Sequence, residues 1–257
     1  MDGVLIIDKP QGLTSHDVVA AARRALGDTR IGHTGTLDPL ATGVLPLAIG
    51  RATRLVRFLT AADKDYDATI RFGLTTDSYD VTGTETGRTD TVPSPAAVAR
   101  AVESLRGEYL QMPPAFSAKK VDGRRAYAHA RRAEPVALTP APVRVSRAEL
   151  VEVSGTQARV ALTCSAGFYV RSFAHALGGL VSTGACLEAL RRTRSGDFTL
   201  DPALTIDGLQ DAARVAAAFV SLDRLLPRFP AVQVDSPRRN RNTADDAAEK
   251  DDMQSDD

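Results

Sequence analysis

The sequence contains no tryptophan, and aromatic residues make up only 5% of it. Its two cysteines, Cys164 and Cys186, are too few for a disulfide framework or a cysteine zinc site. No apolar run approaches the length of a membrane span, and the N-terminus shows no signal-peptide pattern. These absences predict a cytoplasmic protein that does not associate with membranes.

Motifs for common cofactors are missing as well. The four histidines show no metal-binding spacing such as HExxH, and neither a GxxxxGK[ST] phosphate loop nor a dinucleotide GxGxxG occurs. A GxSxG motif is also absent, which weakens a serine hydrolase interpretation. We therefore expect no metal and no cofactor.

The net charge of zero hides an uneven distribution of charge along the chain. Residues 242–257 hold seven acids and one lysine, so this tail carries −6 and residues 1–241 carry +6. Basic pairs such as Arg191-Arg192 are usually solvated, but around a cleft they would suit phosphate contacts. Apolar residues almost vanish after residue 235, which predicts a disordered acidic tail over 235–257.

Hydrophobic patterning predicts an α+β fold with one main domain over residues 1–230. Strands are expected at 4–7, 66–74, 143–153 and 158–164. Helices are expected from the capping pair Thr14 and Asp17 to Gly27, from Ser94 to Gly107, and around 173–181. Residues 75–92, rich in Thr, Gly and Asp, predict a long surface loop. Strands and helices do not alternate strictly, which argues against a doubly wound parallel sheet.

One carboxylate, Asp38, lies in a segment with unusual control over its backbone. Glycines at 32, 35 and 43 permit positive φ angles and close approach of another backbone. Pro39 fixes its own φ angle and pushes Asp38 away from the α region. Asp38 is therefore expected to project from a stiff, extended turn. The structural alternative is an Asx-turn, in which the carboxylate bonds its own backbone.

Residues 32–54, GHTGTLDPLATGVLPLAIGRATR, resemble the catalytic signature of the TruB family of tRNA pseudouridine synthases. Five further blocks resemble that family in its own order: Asp8–Gly12, Lys64–Tyr66, Pro113–Tyr127, Cys164–Ser172 and Leu190–Gly196. The resemblance implies the pseudouridine synthase fold, a mixed central β-sheet flanked by helices and loops around an RNA-binding cleft. It also implies that residues 112–142 form an RNA-clamping insertion. Members of the family usually continue into a small PUA RNA-binding domain, and here we expect a departure from that pattern, with no complete PUA domain in 235–257.

The resemblance further implies the reaction, in which uridine at position 55 in the T loop of tRNA is isomerised to pseudouridine. Asp38 is the implied catalytic carboxylate, which could attack C1′ or C6 or remove a proton at C2′. Arg171 is its implied ion-pair partner. The implied base-stacking and pocket residues are Tyr66, Tyr169 and Leu190, and the implied RNA contacts are His33, Lys9 and Lys120. For Tyr66 and Leu190, plain core packing is the alternative. The expected partner is the T arm of tRNA, with no obligate protein partner.

Three other interpretations stay open. A nucleosidase or glycosidase also uses carboxylates, but that chemistry normally needs a paired acid. An RNA-binding module without catalysis would not need both Asp38 and Arg171. RNA-guided archaeal and eukaryotic relatives share a similar GH[ST]GTLDP element, but they carry a PUA domain and extra N-terminal sequence. A stand-alone bacterial enzyme fits the sequence better.

Overall fold

A computed structural model of the 257-residue chain describes residues 1–27, 30–116, 120–121, 124–125 and 138–225. The strands are β1 (Gly3–Lys9), β2 (Ile31–His33), β3 (Thr42–Ile49), β4 (Lys64–Phe72), β5 (Leu74–Thr76), β6 (Glu85–Arg88), β7 (Gly107–Gln111), β8 (Lys120–Val121), β9 (Arg124–Arg125), β10 (Ala141–Ser154), β11 (Gln157–Cys164), β12 (Ala185–Ser195), β13 (Phe198–Thr199) and β14 (Val220–Ser221). The α-helices are α1 (Ser15–Leu26), α2 (Val56–Thr60), α3 (Pro95–Ser104), α4 (Val170–Leu180) and α5 (Ala212–Ala218). Short 3₁₀ helices cover Gly50–Leu55, Asp207–Gln210 and Leu222–Arg224.

One large sheet organises the molecule, with strand order β14-β1-β3-β12-β4-β11-β10-β7. Neighbouring strands are antiparallel except β3 and β12, which are parallel, so the sheet is mixed as predicted. The parallel pair meets closely at Gly43, whose φ angle is +100°. A Cβ atom there would lie 2.2 Å from the carbonyl oxygen of Arg192, so only glycine lets β12 approach.

Local sequence signals account for several element boundaries. Thr14 and Asp17 form the predicted capping box, and α1 ends before Gly27 in the left-handed region. Along β4 buried and less buried residues alternate, which confirms a strand with one face in the core. The two strands predicted after residue 143 are β10 and β11, which pair across the turn that follows Ser154. The second predicted helix is α3, but it ends at Ser104, and Gly107 begins β7 instead of closing the helix.

The prediction of a surface loop over 75–92 is wrong. β5 pairs with β6, and the turn between them buries polar side chains, namely Thr76, Ser78 and Asp80. This turn docks on the start of β12, because the N–H groups of Val81 and Leu187 donate to Leu187 O and Tyr79 O. A Thr- and Asp-rich composition hides this docking, since these side chains form their hydrogen bonds inside the fold.

The helices cover the sheet and enclose the main core. α4 packs against β12, α3 packs against β10, and α1 packs against β2. Both cysteines are buried and free. Within the described residues, no helix has the length and apolar composition needed to cross a bilayer. The acidic tail over 235–257 and most of the predicted insertion over 112–142 lie outside the described residues.

Candidate active site

The turn that carries Asp38 is held in place from several elements. The N–H of Leu37 donates to Ser15 Oγ at 2.8 Å, and the same hydroxyl donates to Leu37 O at 3.1 Å. On the far side, the N–H of Gly12 donates to Pro39 O at 2.8 Å. Because α1 and the segment before it fix both flanks of Asp38, its side chain starts from a rigid backbone. Of the three glycines predicted to permit positive φ angles, Gly35 and Gly43 have them, whereas Gly32 lies in β2 and does not.

The Asp38 carboxylate forms an ion pair with Arg171. Arg171 Nε lies 2.8 Å from Asp38 Oδ2, although its N–H direction departs from that of an aligned hydrogen bond. The Arg171 side chain is 7% exposed and that of Asp38 is 40% exposed. No hydrogen bond from the Asp38 side chain to neighbouring backbone occurs in the described part of the chain, so the Asx-turn alternative finds no support. The carboxylate therefore stands at an open edge, oriented by a buried cation.

Arg171 is itself fixed by contacts from three directions. Its Nη1 donates to Ser78 O at 3.0 Å and its Nη2 donates to Phe116 O at 2.8 Å. Asp80 Oδ2 lies 3.7 Å from Nε, and this carboxylate is also buried. Arg171 lies in the first turn of α4, where the helix dipole disfavours a positive charge. The nearby carboxylates of Asp38 and Asp80 offset this effect and stabilise Arg171 in its position.

A cavity of about 240 Å³ opens beside this ion pair. Its wall combines the Asp38 turn, the start of α4, and side chains of β4 and β12. All the residues predicted as catalytic, ion-pairing or base-stacking line it: Asp38, Arg171, Tyr66, Tyr169 and Leu190. The cavity is smaller than the roughly 300–1,000 Å³ of drug-sized sites, so it suits a single base rather than a larger ligand.

Tyr169, which lines the cavity, is the N-cap residue of α4, and no side-chain capping hydrogen bond forms at this end of the helix. Gln111, at the end of β7, holds the backbone of Tyr169 in place. Its Oε1 accepts from Tyr169 N–H at 2.8 Å, and its Nε2 donates to Tyr169 O at 3.0 Å. Gln111 is buried, so this double contact sets the backbone from which both Tyr169 and Arg171 project.

Tyr66 belongs both to the core and to the cavity. Its ring is 9% exposed, and it packs in the main hydrophobic cluster while it lines the cavity. Burial raises the pKa of its phenol, and the nearby Arg192 opposes this shift. Geometry thus leaves both predicted roles of Tyr66, stacking and packing, in place.

A pair of substitutions separates these two roles. We expect Tyr66→Phe to keep most activity and Tyr66→Leu to lose at least about tenfold more, because base stacking on a ring contributes roughly 1–3 kcal/mol. Activity would be measured as product formed per enzyme, and folding as the melting temperature. Equal activity of the two variants at matched folding would assign Tyr66 to packing alone.

Two of the three predicted RNA contacts, Lys9 and His33, do not line the cavity, and the third, Lys120, cannot be placed there. Lys9 is fully buried, and its ammonium donates to Pro10 O and Leu13 O, a geometry that favours the structural role over a phosphate contact. His33 lies in β2, with its ring 5.5 Å from that of His16. The backbone of Lys120 lies in β8, and its side chain is outside the described residues.

The sequence analysis missed three charged residues of the site. Asp80 falls in the segment mistaken for a loop. Lys64 lines the cavity and is only 6% exposed, although its neighbour Tyr66 was singled out. Arg192 is 1% exposed and lines the cavity, so the interpretation of Arg191-Arg192 as a solvated or phosphate-binding pair is wrong for it. The available signal was the spacing of two residues from Lys64 to Tyr66 and from Leu190 to Arg192, which places each cation on the same strand face as a predicted pocket residue.

Within the described residues, no group of three or more His, Cys, Asp or Glu side chains is arranged to hold a metal ion. Asp38 carries the only carboxylate among the cavity-lining residues that the structure describes. The site therefore offers one exposed carboxylate, a fixed arginine and an aromatic wall.

Family models match the chain in two consecutive stretches. Residues 23–170 match the TruB family pseudouridylate synthase N-terminal domain, and residues 171–227 match the tRNA pseudouridylate synthase B C-terminal domain. The chain belongs to the TruB family of pseudouridylate synthases. Among its TruB relatives, tRNA pseudouridine synthase B of Solibacter usitatus (strain Ellin6076) is 49% identical over 239 residues, which cover 91% of this chain and 82% of that protein. The protein of the same name in Mycobacteroides abscessus is 43% identical over 252 residues, covering 94% of this chain and 84% of that one.

Two solved structures share the fold of this chain. An archaeal box H/ACA Nop10–Cbf5 complex matches with a TM-score of 0.66 at 28% identity, and a Cbf5–Nop10–Gar1 complex matches with 0.67 at 29%. Each match covers 86% of this chain and 60% of the solved chain, so this protein spans less than two thirds of their length. The predicted pseudouridine synthase fold is confirmed by these matches.

Proposed function

We propose that this TruB-family enzyme isomerises uridine to pseudouridine at position 55, in the T arm of tRNA, with Asp38 as the attacking carboxylate. The isomerisation of tRNA uridine accords with the family and with relatives at 40–49% identity. The observation that carries the catalytic assignment is the half-exposed Asp38 carboxylate, paired with buried Arg171 at the edge of a base-sized cavity. We place the enzyme in the cytoplasm, acting on tRNA without an obligate protein partner.

The reaction needs little beyond this arrangement. The bond between N1 and C1′ breaks, the uracil turns, and C5 joins C1′, so that C5 loses a hydrogen and N1 gains one. No oxidant, reductant or energy source enters this balance. A carboxylate that bonds C1′, bonds C6 or removes a C2′ proton could begin the reaction, and the partly exposed Asp38 at the cavity supports its assignment as that carboxylate.

The nucleosidase alternative is disfavoured by geometry. Carboxylate-dependent glycosidases hold two acids about 5–5.5 Å apart or roughly 6.5–9.5 Å apart across the scissile bond. In this cavity the described lining residues supply Asp38 alone. Asp80, the other carboxylate of the network, is buried behind Arg171 and does not line the cavity.

Release of tritium from an unmodified tRNA transcript carrying 5-tritiated uridine tests the proposal. We expect close to one tritium per tRNA, and a transcript with position 55 changed to cytidine should release none. A hydrolase or a passive RNA-binding protein leaves C5–H intact. Release that persists in the position-55 transcript would refute the T-arm site, and no release from either transcript would refute the activity.

A further inference from the structure

The cavity holds two buried cations for which the proposed attack by Asp38 provides no use. Lys64, on β4, donates from Nζ to Thr60 O and Ala62 O at the end of α2. Arg192, on β12, donates from Nε to Val44 O at 2.7 Å and from Nη2 to Gly35 O at 3.2 Å. Both side chains end on backbone carbonyls, and in the described part of the chain neither forms an ion pair with a carboxylate.

Among the described residues, the acids near Lys64 already have other partners. Asp63 pairs with Arg144 at 2.9 Å, and Asp65 pairs with Arg194 at 2.7 Å. Asp38 pairs with Arg171. The thiol of Cys164, which also faces Lys64, is neutral at ordinary pH because burial raises its pKa to about 12. The floor of the cavity therefore keeps an excess of positive charge.

Such an excess is costly to a folded protein. Burial of a charge without a counter-charge disfavours folding by several kcal/mol in general. For Lys64 this cost is seen as a lowered pKa. Burial lowers the pKa of its side chain to about 8, and the charge of Arg192 contributes to this shift. The ammonium is still largely protonated at neutral pH. A cavity built in this way is suited to a ligand that carries or develops negative charge there.

The isomerisation proposed above creates such a charge. When the C1′–N1 bond breaks, its electron pair stays on the uracil, which becomes an anion spread over N1 and the ring oxygens. Asp38 meanwhile bonds C1′, or takes a proton from C2′. The uracil anion then turns and attacks C1′ through C5, Asp38 leaves C1′ or returns its proton, and the C5 hydrogen departs as a proton while N1 is protonated.

We propose that Lys64 is a catalytic residue that stabilises this uracil anion by donating its remaining N–H to a uracil oxygen. An ammonium has three donors, and the described residues accept only two of them. Arg192 also lines the cavity, and its positive charge lies close enough to act on the ammonium of Lys64 and the phenol of Tyr66. A fixed donor aimed at developing charge in a water-poor site commonly contributes about 10²–10³ in rate. The proposal rests on the proposed function.

Sensitivity to the leaving group tests the role of Lys64. Two tRNAs would be assembled by ligation, one with uridine and one with 5-fluorouridine at the target position alone. Fluorine withdraws electrons and stabilises the uracil anion, so the departing base needs the ammonium less. Loss of the original nucleoside would be followed in single turnover by digestion and chromatography with mass detection. We expect Lys64→Met to slow the uridine substrate by about a hundredfold or more and the fluorinated substrate by about tenfold or less.

Lys9→Met provides a matched control. Lys9 is also buried, also donates to two backbone carbonyls, and its pKa is also lowered to about 8 by burial, but it does not line the cavity. Its charge also acts on Asp38 and Arg192, but Lys9 does not line the cavity and so cannot donate to the base. Whatever rate this variant loses should therefore be lost about equally with both substrates. If Lys64→Met fails to fold, Lys64→Gln, which keeps donors for the carbonyls, should show the same difference between substrates.

Two results would overturn the proposal for Lys64. The first is a folded Lys64 variant that loses the same rate with both substrates. The second is a Lys9→Met variant that favours the fluorinated substrate as strongly as Lys64→Met does. Failure of the proposed function would appear separately, as a wild-type enzyme that leaves the uridine of the target tRNA unchanged.

Discussion

Asp38→Asn is expected to release no detectable tritium from 5-tritiated tRNA, while its affinity for tRNA changes by less than about tenfold, or 1.4 kcal/mol. The amide keeps the shape of the side chain but cannot bond C1′ or C6 or take a C2′ proton. Affinity should persist because the carboxylate occupies one edge of a cavity whose aromatic and cationic walls stay intact. Tritium release and filter binding on the same preparation measure the two quantities.

The variant should lose activity while its stability stays nearly unchanged, so the loss can be assigned to the carboxylate itself. Asp38 is 40% exposed at its side chain, so its loss should change the melting temperature little. Arg171 keeps Asp80 and two backbone carbonyls as partners in the variant. Appreciable turnover by folded Asp38→Asn would remove the carboxylate from the mechanism.

Arg171→Met is expected to lose both activity and stability. Removal of the arginine leaves the buried Asp80 carboxylate without its cation, and breaking a buried pair in this way costs about 3–5 kcal/mol of unfolding free energy. The methionine also no longer orients Asp38, and a displacement of about 1 Å at a reacting group can cost a hundredfold in rate. Urea denaturation and tritium release would measure the two losses.

Arg191→Met serves as the comparison for stability. Arg191 pairs with Asp8 at 2.8 Å, but its side chain is 41% exposed, and an ion pair of this kind contributes only about 0–1 kcal/mol. Arg171→Lys should fall between wild type and Arg171→Met, because lysine restores the charge but not the planar fork that reaches Ser78 O and Phe116 O. A stability loss no larger for Arg171→Met than for Arg191→Met would show that the network is not a structural unit.

Local pattern in the sequence was sufficient for much of the fold. The capping box before α1, the alternation along β4 and the pairing of β10 with β11 depend on residues close in sequence, so periodicity and turn chemistry indicate them. The turn between β5 and β6 was missed because its polar side chains make buried contacts with one another and with residues far along the chain. Composition alone cannot distinguish such a turn from a solvated loop.

The candidate site divides in the same way. The motif resemblance assigned Asp38, Arg171 and Tyr66 to one site, and all three line the same cavity in the structure. It gave no reason to include Asp80, and it grouped Lys9 with the RNA contacts although Lys9 is buried. The environment of a charged side chain is set by the strands that pack beside it. The residues next to it in the sequence do not indicate which strands those are.

The sequence by itself determined the family and the reaction class, and it singled out Asp38 as the proposed catalytic carboxylate, because these depend on residue types at short spacings within motifs. Only the tertiary structure decided which charges are buried together and which are already paired. That distinction separates Arg191, half-exposed and paired with Asp8, from its neighbour Arg192, which is buried near Lys64 and has no carboxylate partner among the described residues. Successive residues of a strand point to opposite faces of the sheet, so two adjacent arginines meet entirely different surroundings.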